Sequence, residues 1–329
     1  MKKILFFLLF SSILLFLTSC NNENSNKKIQ LAEVTRSIFY APQYVALEKG
    51  FFKDEGLDVE LQTTWGGDKT MTSLLSDGSD IALVGAETSI YVYAQDSKDI
   101  AINFAQLTQT DGTFLVAKEE KSNFSWDELK GTSFLGQRKG GMPQMVGEYV
   151  LKQQGIDPHE DLNLQQNIEF AHIPSAFVSG DAEYVQLFEP TASAFEKEGK
   201  GHIIASFGEE SGIVPYTVYM AKQTYMDEHE TEMKGFTKAI YRAQQWVAEQ
   251  PAEEIAQTIQ TYFEDTELEM LTSSIERYKS QGSFATEPLL QKDPWNNLKN
   301  IMEEAGELPE DVAYEELVNT TFAKDVLQD

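Results

Sequence analysis

The chain reads as an α/β protein, and three observations predict this. Segments with strand and helix periodicity alternate along most of its length. Leu57-Asp58-Val59-Glu60-Leu61 alternates apolar and polar residues, as a half-buried strand does. Ile81-Ala82-Leu83-Val84 is apolar throughout, as a strand covered on both faces is. About 300 residues follow the N-terminal segment, which is long for one core, so two lobes are expected.

Taken in chain order, Lys2 and Lys3 precede an almost wholly apolar run over residues 4–17, broken only by Ser11 and Ser12. The run is too short to span a bilayer comfortably, since a spanning helix needs about 20 apolar residues. With its basic start it reads as a secretory signal peptide over residues 1–19. Leu17-Thr18-Ser19-Cys20 resembles a bacterial lipoprotein box, which implies that Cys20 becomes the new N-terminus and carries a diacylglyceryl group. Two acyl chains hold a protein at a membrane where one is marginal. Cys20 is the only cysteine, so no disulfide forms within one copy, and modification removes a thiol that an oxidising compartment would attack. Residues 20–28 are polar and read as a flexible tether. The expected location is the outer face of the cell membrane.

Strands are predicted over residues 29–34, 57–61, 81–84, 100–107, 114–117, 132–135, 168–172, 184–188, 202–207 and 216–221. Helices fill the gaps. Met142, Met145, Val146, Tyr149 and Val150 form one apolar stripe, with Pro143 in the first turn and Gly155 placed to stop the helix. Ser125-Trp126-Asp127-Glu128 has the pattern of a capping box. From about residue 228 the chain reads as mostly helical, with turns at Gln250-Pro251, Gly282 and Gly306.

The segment Phe39-Tyr40-Ala41-Pro42-Gln43-Tyr44-Val45-Ala46, then Glu48-Lys49-Gly50-Phe51-Phe52 and Glu55-Gly56-Leu57-Asp58-Val59-Glu60, resembles the start of the solute-binding proteins for nitrate, sulfonate, taurine and thiamine precursors. Leu75 to Ala82, Asp127-Glu128-Leu129-Lys130-Gly131 and Lys234-Gly235-Phe236-Thr237-Lys238-Ala239 extend the resemblance in the same order, over roughly residues 29–250. The resemblance implies a two-lobe periplasmic-binding-protein type II fold, each lobe a mixed sheet flanked by helices, with two hinge crossings. Lobe I is then residues 29–110 plus 214–329 and lobe II residues 111–213. The crossings are expected at residues 108–114 and 208–216. The implied role is capture of a small molecule for an ABC permease and a separate ATPase, with no cofactor.

In such a fold a ligand lies at the carboxyl ends of strands and the N-termini of helices. Five loops qualify. Ser37, Phe39 and Tyr40 follow the first strand, and the aromatic pair either stacks on a flat ligand or covers the next helix. Trp65 and Gly66 either offer a second stacking edge beside backbone free to approach closely or serve only as rim and turn. Gly85, Glu87 and Thr88 follow the buried strand, where Thr88 either caps a helix or meets ligand. Gln137, Arg138, Lys139, Gly140, Gly141 and Met142 join a strand to a helix N-terminus, which suits an anion or an acceptor atom. Glu189, beside Pro190, either compensates a helix dipole or receives two hydrogen bonds from an amidine-like edge. Tyr216 is a further aromatic candidate.

Other classes find little support. With 53 Asp and Glu against 26 Lys and Arg the chain carries a net charge of −27, which argues against nucleic acid as a partner. His159, His172, His202 and His229 have no metal-binding spacing, and no nucleophile with its base is apparent, so the protein is not expected to be an enzyme. No phosphate-binding G-x-x-x-x-G-K-[ST] loop occurs, so any ATPase is a separate partner. A thiamine-pyrimidine-like heterocycle is the expected ligand. An alkanesulfonate, taurine or nitrate-type anion is the alternative, and a pyrimidine-synthesising enzyme the remote one.

Overall fold

The computed structural model describes residues 26–328. The signal segment, Cys20 and the tether up to residue 25 lie outside the described residues. Ten strands are described: β1 (Lys27–Glu33), β2 (Leu57–Thr63), β3 (Ile81–Gly85), β4 (Ala101–Thr108), β5 (Thr113–Ala117), β6 (Ser133–Leu135), β7 (Asn163–Gln165), β8 (Tyr184–Phe188), β9 (His202–Ser206) and β10 (Thr217–Lys222). They form two five-stranded sheets, ordered β2-β1-β3-β10-β4 and β7-β6-β8-β5-β9.

Both sheets are mixed. In the first, β1 runs parallel to β2 and β3, while β10 enters antiparallel between β3 and β4. In the second, β6 runs parallel to β7 and β8, and β5 lies antiparallel to β8 and β9. Ile81, Ala82, Leu83 and Val84 are all buried, as their unbroken apolar run requires. Burial of a large aliphatic side chain contributes about 1.5–3 kcal/mol, so these central strands anchor each lobe.

Helices cover the faces. Met142–Gln153 begins with Pro143 in its first turn, buries Met142, Met145, Val146 and Val150, and gives way to Gly155 at φ 76°. Ser125 and Glu128 form a capping box at the short 3-10 helix Trp126–Leu129. Beyond residue 228 the chain is helical, with its longest helix at Glu230–Glu249. No helix among the described residues is long and apolar enough to cross a membrane.

Two local expectations are corrected. Residues 168–172 are not a strand: Phe170–His172 is a 3-10 turn leading into the helix Ile173–Ser179, whose first turn holds Pro174. A proline there removes a ladder donor and pre-sets helical φ, which outweighs the apolar residues before it. The strand beside β6 is instead Asn163–Gln165, short and with two of its three residues polar. At the N-terminus, Lys27 and Lys28, read as tether, already pair with Leu57 and Asp58 in β1.

The chain passes from the first sheet to the second between Thr108 and Thr113, and returns between Ser206 and Thr217, with Phe207–Ser211 forming a short helix on the way. The two crossings run side by side. Val214 N–H donates to Gln109 C=O at 3.0 Å, and Tyr216 N–H to Thr108 C=O at 3.2 Å. Helix Leu268–Ser280 braces them: Tyr278 Oη donates to Gly112 C=O at 3.0 Å and accepts from Glu189 N–H at 3.1 Å. Helix Lys292–Glu304 adds Asn297 Nδ2, which donates to Ile213 C=O at 2.9 Å. The C-terminal helices thus touch both sheets and the strap between them.

Candidate functional site

The crossing strands decide which residues meet. Thr217, at the start of β10, pairs with Gly85 at the end of β3 and with Thr108 at the end of β4. Thr113, at the start of β5, pairs with Phe188 at the end of β8. The strand ends carrying Gly85 and Phe188 therefore converge on Asp111 and Tyr216, and the loop after β1 closes over them.

That loop is held from below. Glu33 is fully buried at the end of β1, ion-paired with Arg36 at 3.0 Å and accepting from Gln43, Tyr44 and Thr63 at 2.8–2.9 Å. Burial pushes its carboxyl up, and these partners oppose the shift. Ser37 then accepts from Phe39 N–H at 3.2 Å and starts the 3-10 turn Ile38–Tyr40. The turn delivers Phe39 and Tyr40 inward, both buried. Phe39 lies 5.6 Å from Tyr216, 5.0 Å from Tyr278 and 6.1 Å from Phe188, so its ring touches both lobes.

Opposite stands Glu87, buried at the start of the helix Glu87–Tyr93. Its carboxylate folds back over Gly85, where even a methyl group would collide with it. Burial pushes Glu87 up to about 8, with only its own N–H and that of Met142 pulling the other way. Met142 N–H belongs to the second lobe, so this carboxylate sits at the junction. Asp111 is also buried and pushed up to about 6, although Thr113 N–H donates to its Oδ1 at 2.6 Å. The Tyr216 hydroxyl lies beside the Asp111 carboxylate, and burial raises its proton affinity well above that of a free phenol. Glu87 Oε2 is buried without a hydrogen-bond partner, while the Tyr216 hydroxyl and the Asp111 carboxyl face each other. Buried polar groups are almost always paired, so the unpartnered Glu87 oxygen marks a place in this wall where a donor is wanted.

The other sequence candidates lie around this cluster and are largely engaged. Thr88 Oγ1 donates to Gly85 C=O at 2.7 Å, and Gln137 Nε2 to Gln186 C=O at 2.6 Å. Gly140 has φ 88° and its N–H donates to Gln144 Oε1, while Gly141 precedes the helix at Met142. Trp65, at φ 59° beside Gly66 at φ 150°, is 62% exposed, so its ring does not stack in the interior. Arg138 is half exposed and held between Asp68 at 3.6 Å and Glu169 at 3.4 Å, and Lys139 is exposed. The fixed positive charge expected of that loop is therefore balanced by neighbouring acids. Glu189 is buried with both oxygens engaged: Ser193 N–H and Oγ donate at 2.9 and 2.8 Å, and Arg277 Nε stands at 2.9 Å. This arrangement caps the helix Thr191–Lys197 and leaves no open amidine clamp.

Asp111 escaped the sequence reading because its environment is made by the two crossings together. Its one local signal was the acidic residue within Thr108-Gln109-Thr110-Asp111-Gly112, a stretch read only as hinge. No group of three or more His, Cys, Asp or Glu among the described residues is arranged to hold a metal ion.

The family model described as NMT1/THI5 like matches residues 38–254, two thirds of the chain. The chain belongs to the NMT1/THI5-like family. YtlA of Bacillus subtilis (strain 168), which is named as a binding protein, is 62% identical over 310 residues, covering 94% of this chain and 93% of YtlA. Solved structures share the fold. The ligand-binding component of an ABC-type import system from Staphylococcus aureus, with zinc bound, superposes with TM-score 0.73 at 14% identity, covering 91% of this chain and 99% of that one. The alkanesulfonate-binding protein SsuA from Xanthomonas axonopodis pv. citri, bound to MOPS, gives TM-score 0.70 at 13% identity, covering 89% and 98%. This NMT1/THI5-like chain thus has the type II periplasmic-binding-protein architecture, two mixed sheets flanked by helices.

Proposed function

We propose that this protein is the extracytoplasmic solute-binding component of an ABC importer, held at the membrane by lipid on Cys20. It captures a small organic molecule between its lobes and passes it, chemically unchanged, to a membrane permease driven by a separate ATPase. The single observation that carries the reading is Glu87 Oε2, buried without a hydrogen-bond partner at the lobe junction near the buried Tyr40 and Tyr216. Family membership and the ligand-binding names of its relatives support the class.

For the ligand, the site favours a flat nitrogen heterocycle with an amino-bearing edge, such as a thiamine pyrimidine precursor. Flat rings suit aromatic walls, and buried carboxylates want N–H donors. A sulfonate wants N–H donors or positive charge, whereas Glu87 and Asp111 present carboxyl groups and Arg138 is already paired with acids near the surface. Phe39, Tyr40, Gly85, Glu87, Met142 and Tyr216 from the sequence reading, with Asp111 added, form the contact set in this account. A thermal-shift panel of aminopyrimidines, taurine and alkanesulfonates on the purified mature chain tests it. Ligand at about a hundred times its dissociation constant stabilises by about 2.7 kcal/mol, an easily read upward shift. Stabilisation by sulfonates alone would overturn the heterocycle assignment.

A further inference from the structure

Resting on the two-lobe capture reading above, we infer that Asp68 and Arg138 form an ionic latch across the mouth of the cleft, with Glu169 holding the arginine in place.

The three residues come from different lobes. Asp68 lies in the first turn of the helix Gly67–Leu75, which follows β2, the edge strand of the first sheet. Arg138 follows β6 in the second sheet, and Glu169 leads into the 3-10 turn Phe170–His172 of the same lobe. The loops of Asp68 and Arg138 leave the carboxyl ends of their strands, the side on which a ligand lies in such sheets. Arg138 uses its two arms separately. Nη1 reaches the Glu169 carboxylate at 3.4 Å within its own lobe, and Nη2 reaches Asp68 Oδ1 at 3.6 Å on the other. A guanidinium has the rigid fork for this, and a lysine does not. The ion pairs Lys152–Glu304, Lys197–Glu267 and Arg277–Glu189 also join the lobes. Each of them ends on the helices Leu268–Ser280 and Lys292–Glu304 that brace the strap, or on the N-cap of the first. Asp68–Arg138 instead joins two strand-end loops, so it is made when the lips meet and lost when they part.

Both partners are set before they meet. Gly66 N–H donates to Val34 C=O at 3.1 Å and Thr70 N–H to Gly66 C=O at 2.9 Å, which fixes the turn in front of Asp68. Gly66 has φ 150°, and a Cβ there would fall 2.7 Å from Asp68 Oδ1, the oxygen that faces Arg138. The aspartate thus lies over backbone that only glycine leaves open. Across the cleft, Gln137 is buried and donates to Gln186 C=O at 2.6 Å, which anchors the residue before Arg138. The guanidinium and both carboxylates are exposed, so salt screens the bridge. An exposed pair of this kind shifts an equilibrium by about one-and-a-half- to fivefold. That range suits a latch, because it biases the lobes toward closure and still lets a ligand enter and leave.

Pulsed electron–electron resonance on the mature chain tests this with no ligand added. Nitroxide labels go on Thr72→Cys in the first lobe and Ser175→Cys in the second, both exposed positions, with Cys20→Ala removing the other thiol. In about 0.05 M NaCl, Asp68→Asn and Arg138→Lys should each raise the long-distance population about one-and-a-half- to fivefold. Raising the salt to about 1 M should open the parent chain likewise and change Asp68→Asn little. Glu169→Gln, which leaves the cross-lobe pair in place, should not open the lobes. Distances in Asp68→Asn that superimpose on those of the parent at low salt would overturn the latch, and so would equal opening in Glu169→Gln. Should Asp68→Asn fail to fold by circular dichroism, Arg138→Lys and the salt series on the parent decide the matter. Failure here leaves the thermal-shift test of solute binding to stand or fall by itself.

Discussion

Glu87 and Glu189 are both buried carboxyls in the cleft wall, and their partners separate their roles. Glu189 is surrounded by Ser193 and Arg277. Replacing it with glutamine should cost about 1–2 kcal/mol of stability, through a weakened cap and an unbalanced Arg277, and leave ligand affinity nearly unchanged. Chemical denaturation paired with calorimetry checks both halves. Glu87 faces neither guanidinium nor ammonium, and burial raises it to about 8. A carboxyl raised on folding holds its proton more tightly in the folded chain. Its stabilising contribution is therefore complete below the unfolded value near 4.5 and is lost as pH rises toward about 8. The ligand-free protein should melt progressively lower from pH 5 to pH 8. The general acidic load pushes in the same direction, so the decisive comparison is with Glu87→Gln, whose melting temperature should fall less over the same range. Identical slopes in the two proteins would refute the assignment.

At the scale of elements, the crossings carry the mechanism. A Cβ on Gly112 would fall 2.8 Å from the Phe39 ring and 3.0 Å from the Phe188 ring, one on each side of the cleft. Gly112→Val should therefore prop the lobes apart, seen as a loss of ligand-induced compaction in X-ray scattering with the secondary structure intact. Compaction equal to that of the natural chain would show that the close approach at Gly112 is not required. Much at this scale was legible beforehand. The buried run at β3, the stripe of the helix Met142–Gln153 and the capping box at Ser125 each follow from local periodicity or chemistry, and each stands in the structure. What failed was local pattern opposed by proline: Pro174 turned residues 168–172 away from strand, and the mostly polar Asn163-Leu164-Gln165 took the sheet edge. The cleft loops could be named from sequence because they follow strands. Which of their side chains are spent on one another could not, since Arg138 with Asp68 and Glu189 with Arg277 are long-range pairings. Asp111 was hidden for the same reason: its environment exists only once Tyr216, from the return crossing, lies beside it.

For the whole molecule, folding, anchoring and capture are separable. The two sheets with their bracing helices occupy the described residues, whereas the proposed anchor lies at Cys20, ahead of β1. Cys20→Ala should abolish lipid labelling and move the protein from the membrane fraction to the soluble one, with ligand affinity unchanged. Retention at the membrane after that substitution would place the anchor elsewhere. The excess of acidic residues, 53 against 26 basic, leaves the surface strongly negative.

The most direct test of the central claim is mass spectrometry of the small molecule released by denaturing the mature protein purified from its own host. The account predicts one compound at up to one equivalent per chain, a flat nitrogen-bearing heterocycle, taken up again unaltered when added back. Recovery of a sulfonate, or of a product differing from the compound supplied, would contradict it.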